Sequence, residues 1–219
     1  MPAFDRDSAS TRIIASAGAT PNPSRRLMLL YMACGSVGFL VAFVLMVEKI
    51  ALLEDPSYVP SCSINPILSC GSIMRTPQSE ALGFPNPLLG IAGFAVIVTV
   101  GTALWADASF RPWFWLGLQI ATTSAVVFVH WLIVQSLYRI DALCLYCVVV
   151  WIVTIAIFWY TTLRNVAAVR PRVEQGRASG ILDWVDEYHA VVLTIWYVAI
   201  ALLVAERFWD YWSTLLRTS

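Results

Sequence analysis

The sequence predicts an all-α integral membrane protein, and three observations carry that prediction. Of its 219 residues, 59% are hydrophobic and only 13% charged, whereas soluble domains run at roughly 45–50% apolar and about 25% charged. The apolar residues gather into five runs, each close to the ~20 residues that a helix needs to cross the hydrocarbon core. Fourteen basic residues balance fourteen acidic ones, so no global field attracts nucleic acid and the lipid bilayer is the expected surroundings.

Residues 1–24 are rich in Ser, Ala, Thr, Gly and Pro and read as a disordered tail without core-forming side chains. The run Leu27 to Ile50 follows Arg25 and Arg26, exceeds the length of a signal-peptide core and lacks a suitably placed small-residue cleavage site. It is expected to be a first spanning helix that stays attached. The connection 53–86 carries prolines at 56, 60, 66, 77 and 85, too many for one continuous helix, which predicts a long ordered loop or a broken helix. Further spans follow at Pro87 to Trp105, Trp113 to Leu137 and Leu143 to Leu163, with a tight turn at Asp107 to Arg111. Residues 164–188 form a polar linker whose end, Ile181 to Tyr188, reads as an amphipathic lead-in at the interface. The segment 189–219 holds a fifth spanning helix, Ala190 to Phe208, and a tail.

Orientation follows from the basic residues. With the N-terminus inside, nine of them (Arg6, Arg12, Arg25, Arg26, Arg111, Arg164, Arg170, Arg172 and Arg177) fall on inner segments and five (Lys49, Arg75, Arg139, Arg207 and Arg217) on outer ones. That bias predicts an N-terminus inside and a C-terminus outside. Cys62, Cys70, Cys144 and Cys147 then all face the extracytoplasmic, oxidising side, where thiol chemistry is at home.

Cys144-Leu145-Tyr146-Cys147 opens the fourth span, with Asp141 expected as its N-cap. Cysteines at i and i+3 share a helix face and can form an easily reduced disulfide. The helix N-terminus favours a thiolate at Cys144, while the Asp141 charge pushes slightly the other way. Cys147 lies one turn deeper, so the pair can meet a water-soluble thiol at one cysteine and a lipid-soluble oxidant at the other. A static disulfide or a metal-binding pair is the plain alternative, but a metal would want further ligands nearby. The only histidines are His130 and His189, and no metal is expected. Cys62 and Cys70 bracket seven residues on a proline-containing loop; two such pairs can exchange through mixed disulfides, or this one can merely staple the loop. Cys34 reads as a buried small hydrophobe, and Trp113, Trp115, Trp184, Trp209 and Trp212 as an interfacial belt.

Two loop cysteines, then Phe84-Pro85-Asn86-Pro87-Leu88-Leu89-Gly90, then a Cys-x-x-Cys opening the fourth helix together resemble the vitamin K epoxide reductase family, in its bacterial members without a fused thioredoxin domain. The resemblance covers about Leu27 to Leu163. The disulfide bond formation protein B family, also quinone-linked, has its Cys-x-x-Cys before its second pair, and that order disfavours it. The resemblance implies a four-helix transmembrane bundle, residues 25–163, around a quinone of menaquinone or ubiquinone type, with a fifth transmembrane helix outside that core. It implies Cys144 and Cys147 as the active-site pair, Cys147 facing the quinone, and Cys62 and Cys70 as the shuttle from a partner. Asn86 matches the family asparagine that hydrogen-bonds a quinone oxygen. Thr76 stands where the family usually has serine, and Trp151 where the vertebrate enzyme has a quinone-contacting tyrosine. His130, an ionisable group in a membrane helix, is either a proton donor to reduced quinone or a hydrogen-bonded packing residue. No thioredoxin-like domain follows the fifth helix, so the expected partner is a separate extracytoplasmic thioredoxin-fold disulfide oxidase. The activity that the resemblance implies is thiol oxidation coupled to quinone reduction in a bacterial inner membrane, in support of disulfide formation. Reduction of a quinone or its epoxide for its own sake, and a non-catalytic disulfide-stapled assembly protein, are the rivals.

Overall fold

The computed structural model describes residues 25–65, 67–173 and 187–209, together with Tyr211 and Ser213. The expected tail 1–24 and most of the expected lead-in Ile181 to Tyr188 lie outside the described residues. Among the described residues, six α-helices run in the order α1 (Arg25–Glu54), α2 (Cys70–Met74), α3 (Pro87–Trp105), α4 (Pro112–Gln135), α5 (Leu145–Val173) and α6 (His189–Arg207). All but α2 are long and apolar enough to cross a membrane. The chain is an all-α membrane protein of five such helices.

Helix α1 buries Leu27, Tyr31, Gly35, Gly38, Ala42 and Leu45 at intervals of three and four, the spacing of one helix face. That face meets α3 running the other way. A Cβ added to Gly90 would fall 2.9 Å from Ala42, and one added to Gly101 would fall 3.0 Å from Tyr31. In lipid, where apolar side chains gain little from meeting one another, small residues stabilise helix pairs by letting backbones approach.

At the end of the bundle remote from the four boundary cysteines, polar side chains join the helices. Tyr31 Oη and Thr161 Oγ1 are 2.6 Å apart, Gln119 donates to Thr162 and accepts from Asn165, and the Arg164 guanidinium lies 3.6 Å over the Trp115 ring. Helix α5 therefore continues past Leu163, where the sequence suggested a linker, because its first polar residues have partners on α4. Helix α6 lies apart: none of its described residues within His189–Arg207 is buried. It is attached through Trp196 to His130, Tyr197 to the Ile152 carbonyl, and Arg207 to the Leu137 carbonyl and Asp141.

The 53–86 connection is broken, as its prolines require, into α2 and a 3₁₀ turn at Pro77–Glu80. Two adjacent charged residues of α1 hold it. Glu48 accepts from Tyr58 Oη at 2.9 Å and Ser61 Oγ at 2.6 Å. Lys49 donates to the Met74 carbonyl at 2.6 Å and pairs with Glu80 at 2.9 Å.

Candidate thiol-redox site and adjoining cavity

The site begins with a main-chain link. Leu143 N–H donates to the Ile67 carbonyl at 2.8 Å, and Ser69 N–H donates to the Leu143 carbonyl at 2.9 Å, a parallel bridge between Leu68 and Leu143. This uses Leu143 as extended chain, so α5 starts at Leu145 and not at Leu143. It also sets Cys70, two residues past Leu68, beside Cys144, one residue past Leu143.

Cys62 and Cys70 form a disulfide with Cα atoms 5.6 Å apart, and Cys70 Sγ lies 2.9 Å from Cys144 Sγ. Cys62, Cys70 and Cys144 are all buried, packed against Leu45, Leu52 and Met74. Their three sulfurs lie within 4.8 Å of one another, as thiol–disulfide exchange through a mixed disulfide requires. The same sulfurs would offer a thiolate set to a soft metal only with the Cys62–Cys70 bond reduced.

Asp141 does not cap α5. It follows a π-helical turn, Ser136–Ile140, in the left-handed conformation (φ 57°), and its carboxylate pairs with Arg207 on α6. With Leu143 held by the loop, the residue preceding the helix is Cys144, whose sulfur accepts from Cys147 N–H at 3.3 Å, the bond an N-cap side chain makes. The Cys144 thiol is pulled below its ordinary pKa, chiefly by a hydrogen bond from the Cys147 thiol. Burial opposes that shift, and the N–H groups of Cys147 and Tyr146 add to it. A depressed thiol pKa means more thiolate, the form that attacks a disulfide.

Behind the cysteines is a cavity of about 600 Å³ between α1, α3, α4 and α5, apolar through most of its depth. Cys144, Cys147, Asn86 and Trp151 line it, as do Lys49, Gln78 and Ser79 at the cysteine end. Asn86 stands at the mouth of α3, its Nδ2 donating to the Gln78 carbonyl at 2.7 Å and its Oδ1 accepting from Ala81 N–H at 3.1 Å. Two other expected site residues are not among the cavity's lining. Thr76 Oγ1 donates to the Ile73 carbonyl at 2.7 Å and closes the turn after α2. His130 faces α6, its Nε2 accepting from Trp196 Nε1–H at 3.0 Å. Cys34 is half-buried among Leu27, Tyr31 and Phe94, away from the cluster of Cys62, Cys70 and Cys144.

Sequence reasoning missed Glu48 and Lys49. The signal was available: an ionisable pair ending an apolar spanning run is unusual enough in a membrane helix to imply partners.

A membrane helical bundle with three sulfurs clustered at one end of an apolar cavity is the framework of an integral membrane redox protein. Residues 29–162 match the vitamin K epoxide reductase family, and the chain belongs to that family, whose members are membrane oxidoreductases working with cysteines and quinones. Among curated protein sequences none matches the chain.

Proposed function

We propose that this protein oxidises the thiols of a separate extracytoplasmic thioredoxin-fold partner and passes the electrons to a membrane quinone of menaquinone or ubiquinone type. The observation that carries the reading is the 2.9 Å approach of Cys70 to Cys144 while Cys147, three residues on, lines the cavity. The partner's two thiols reduce the Cys62–Cys70 disulfide and leave as a disulfide. The Cys70 thiolate then attacks Cys144 in an oxidised Cys144–Cys147 pair and displaces Cys147. Cys62 resolves the mixed disulfide, which restores Cys62–Cys70 and frees Cys144. The quinone, when bound, takes up two electrons and two protons, and Cys144 and Cys147 are left joined. The cavity fits such a ligand: its apolar depth suits a prenyl chain, and its polar groups at the cysteine end suit a ring with two carbonyl oxygens.

Two tests follow. With the N-terminus cytoplasmic, an impermeant maleimide applied to intact cells labels a cysteine introduced at Val59, 69% exposed on the 53–86 connection, and leaves a cysteine introduced at Gly176 unlabelled. Labelling at 176 from outside reverses the orientation and the compartment with it. Asn86→Ala weakens quinone binding by about 1–3 kcal/mol, the typical cost of leaving a buried acceptor unpaired, read as a shift of the quinone dissociation constant. Exchange between the two cysteine pairs stays at the wild-type rate. An unchanged dissociation constant confines Asn86 to holding the 78–81 turn.

A further inference from the structure

Quinone reduction consumes two protons, and an apolar cavity supplies few donors. Among the described side chains that line this one, Lys49 is the single charged residue, and the only other titratable groups are the thiols of Cys144 and Cys147. The lysine stands at the cysteine end, where Gln78, Ser79 and Asn86 also line the wall. Its ammonium has three N–H bonds. Two are short, to the Met74 carbonyl at 2.6 Å and to Glu80 at 2.9 Å. The third, to Ser79 Oγ, is long at 3.3 Å, and Ser79 already donates to the Met74 and Thr76 carbonyls. A ligand oxygen entering the cavity replaces that weakest bond at least cost.

The other side of the pair leads out. The Lys49 side chain is 7% exposed and that of Glu80 41%, so the ion pair joins the cavity wall to water at the cysteine end of the bundle. On this ground, and resting on the function proposed above, we propose that Lys49 is the proton donor to the quinone and that Glu80 is the residue through which it is refilled from water. The step balances. Cys144 enters as thiolate and Cys147 as thiol. A Cys144–Cys147 bond forms as two electrons pass to the quinone. One proton comes from the Cys147 thiol and one from the Lys49 ammonium, quinol leaves, and the neutral amine regains its proton by way of the Glu80 carboxylate.

Because Lys49 also holds the loop, the test separates proton delivery from architecture. Wild type, Lys49→Arg and Lys49→Met are compared in detergent by four measurements: unfolding temperature, exchange between the loop pair and the Cys144–Cys147 pair without quinone, quinone dissociation constant, and the single-turnover rate of quinone reduction. Arginine keeps the charge and the bonds to Met74 and Glu80 but does not release a proton in this range. Lys49→Arg is expected to match wild type in the first three and to lose about 10²-fold in the fourth, the lower end of what a positioned general acid supplies. Glu80→Gln slows multiple turnovers and spares the first. Quinone reduction by Lys49→Arg at the wild-type rate overturns the proposal, as does a loss of quinone-free exchange in Lys49→Arg that matches its loss of turnover. A wild-type protein that passes no electrons from its dithiol to any quinone overturns the function beneath it instead.

Discussion

Cys147→Ser is expected to accumulate a Cys70–Cys144 bond within one chain, and Cys70→Ser a bond between Cys62 and the external partner. Mixed disulfides are ordinarily brief because a neighbouring thiolate resolves them. In this protein the resolving groups differ at the two stations. With Cys147 replaced, the Cys144 thiolate, 2.9 Å from Cys70, attacks the Cys62–Cys70 disulfide without rearrangement and releases Cys62 as a thiolate, and no second sulfur on α5 can take Cys144 back. In Cys70→Ser the loop retains Cys62 alone, whose thiolate attacks the disulfide of an oxidised partner molecule, releases that partner's second sulfur as a thiolate and stays joined to the first, with no Cys70 to displace it. Non-reducing mass spectrometry reads both adducts, each expected to rise from a trace to a major species. Cys34→Ser, outside the relay, behaves as wild type. A disulfide that only staples the loop gives no adduct in any variant, and a metal-holding cluster loses metal without forming one. A Cys62–Cys144 product would keep the activity and exchange the roles of the two loop cysteines.

Gly101→Leu is expected to destabilise the bundle by about 1–3 kcal/mol, as overpacking a filled interior does, and to lower the thermal midpoint by roughly 2–12 °C for a chain of this size. The Cβ alone would sit 3.0 Å from Tyr31 Cβ and 3.1 Å from the Met32 backbone nitrogen. Neither is the free end of a flexible side chain, so the helices must part. Gly117→Leu on α4 is the matched control, because nothing lies within 4 Å of a Cβ placed there. Equal midpoints for the two variants would mean that α1 and α3 are not held by close backbone approach.

Hydropathy made the spans legible, since lipid leaves a helix little choice but to be long and apolar. Pro87–Trp105 has the bounds its prolines and hydrophobic run suggested, with Pro87 at a helix start, where a missing N–H costs nothing. The order of the cysteines indicated that two pairs meet. What sequence spacing could not convey is the backbone bridge between Leu68 and Leu143: it is made of N–H and C=O groups that every residue owns. That bridge moved the start of α5 and passed the capping role from Asp141 to Cys144. His130 illustrates another limit. Depth along a helix is readable from sequence, but which side of it a fifth helix occupies is not, and α6 takes the His130 face through Trp196. The tie from Lys49 on α1 to Glu80 crosses 31 positions, most of them in the broken 53–86 connection, which no helical or strand period can anticipate.

The burial of the sulfur cluster has a consequence for specificity. A relay that carries electrons between water and lipid is exposed to short circuits, because any small thiol reaching its disulfide could drain or reverse the flow. Here Cys62 is 3% exposed and Cys70 fully covered, while nearby Val59 and Ile64 stand 69% and 66% exposed. A stray thiol meets insulation before it meets sulfur. On the proposed function, access belongs to a partner protein large enough to engage that apolar rim and loosen Ser61 and Tyr58 from Glu48, and the contact that admits it is then also the switch that closes the circuit.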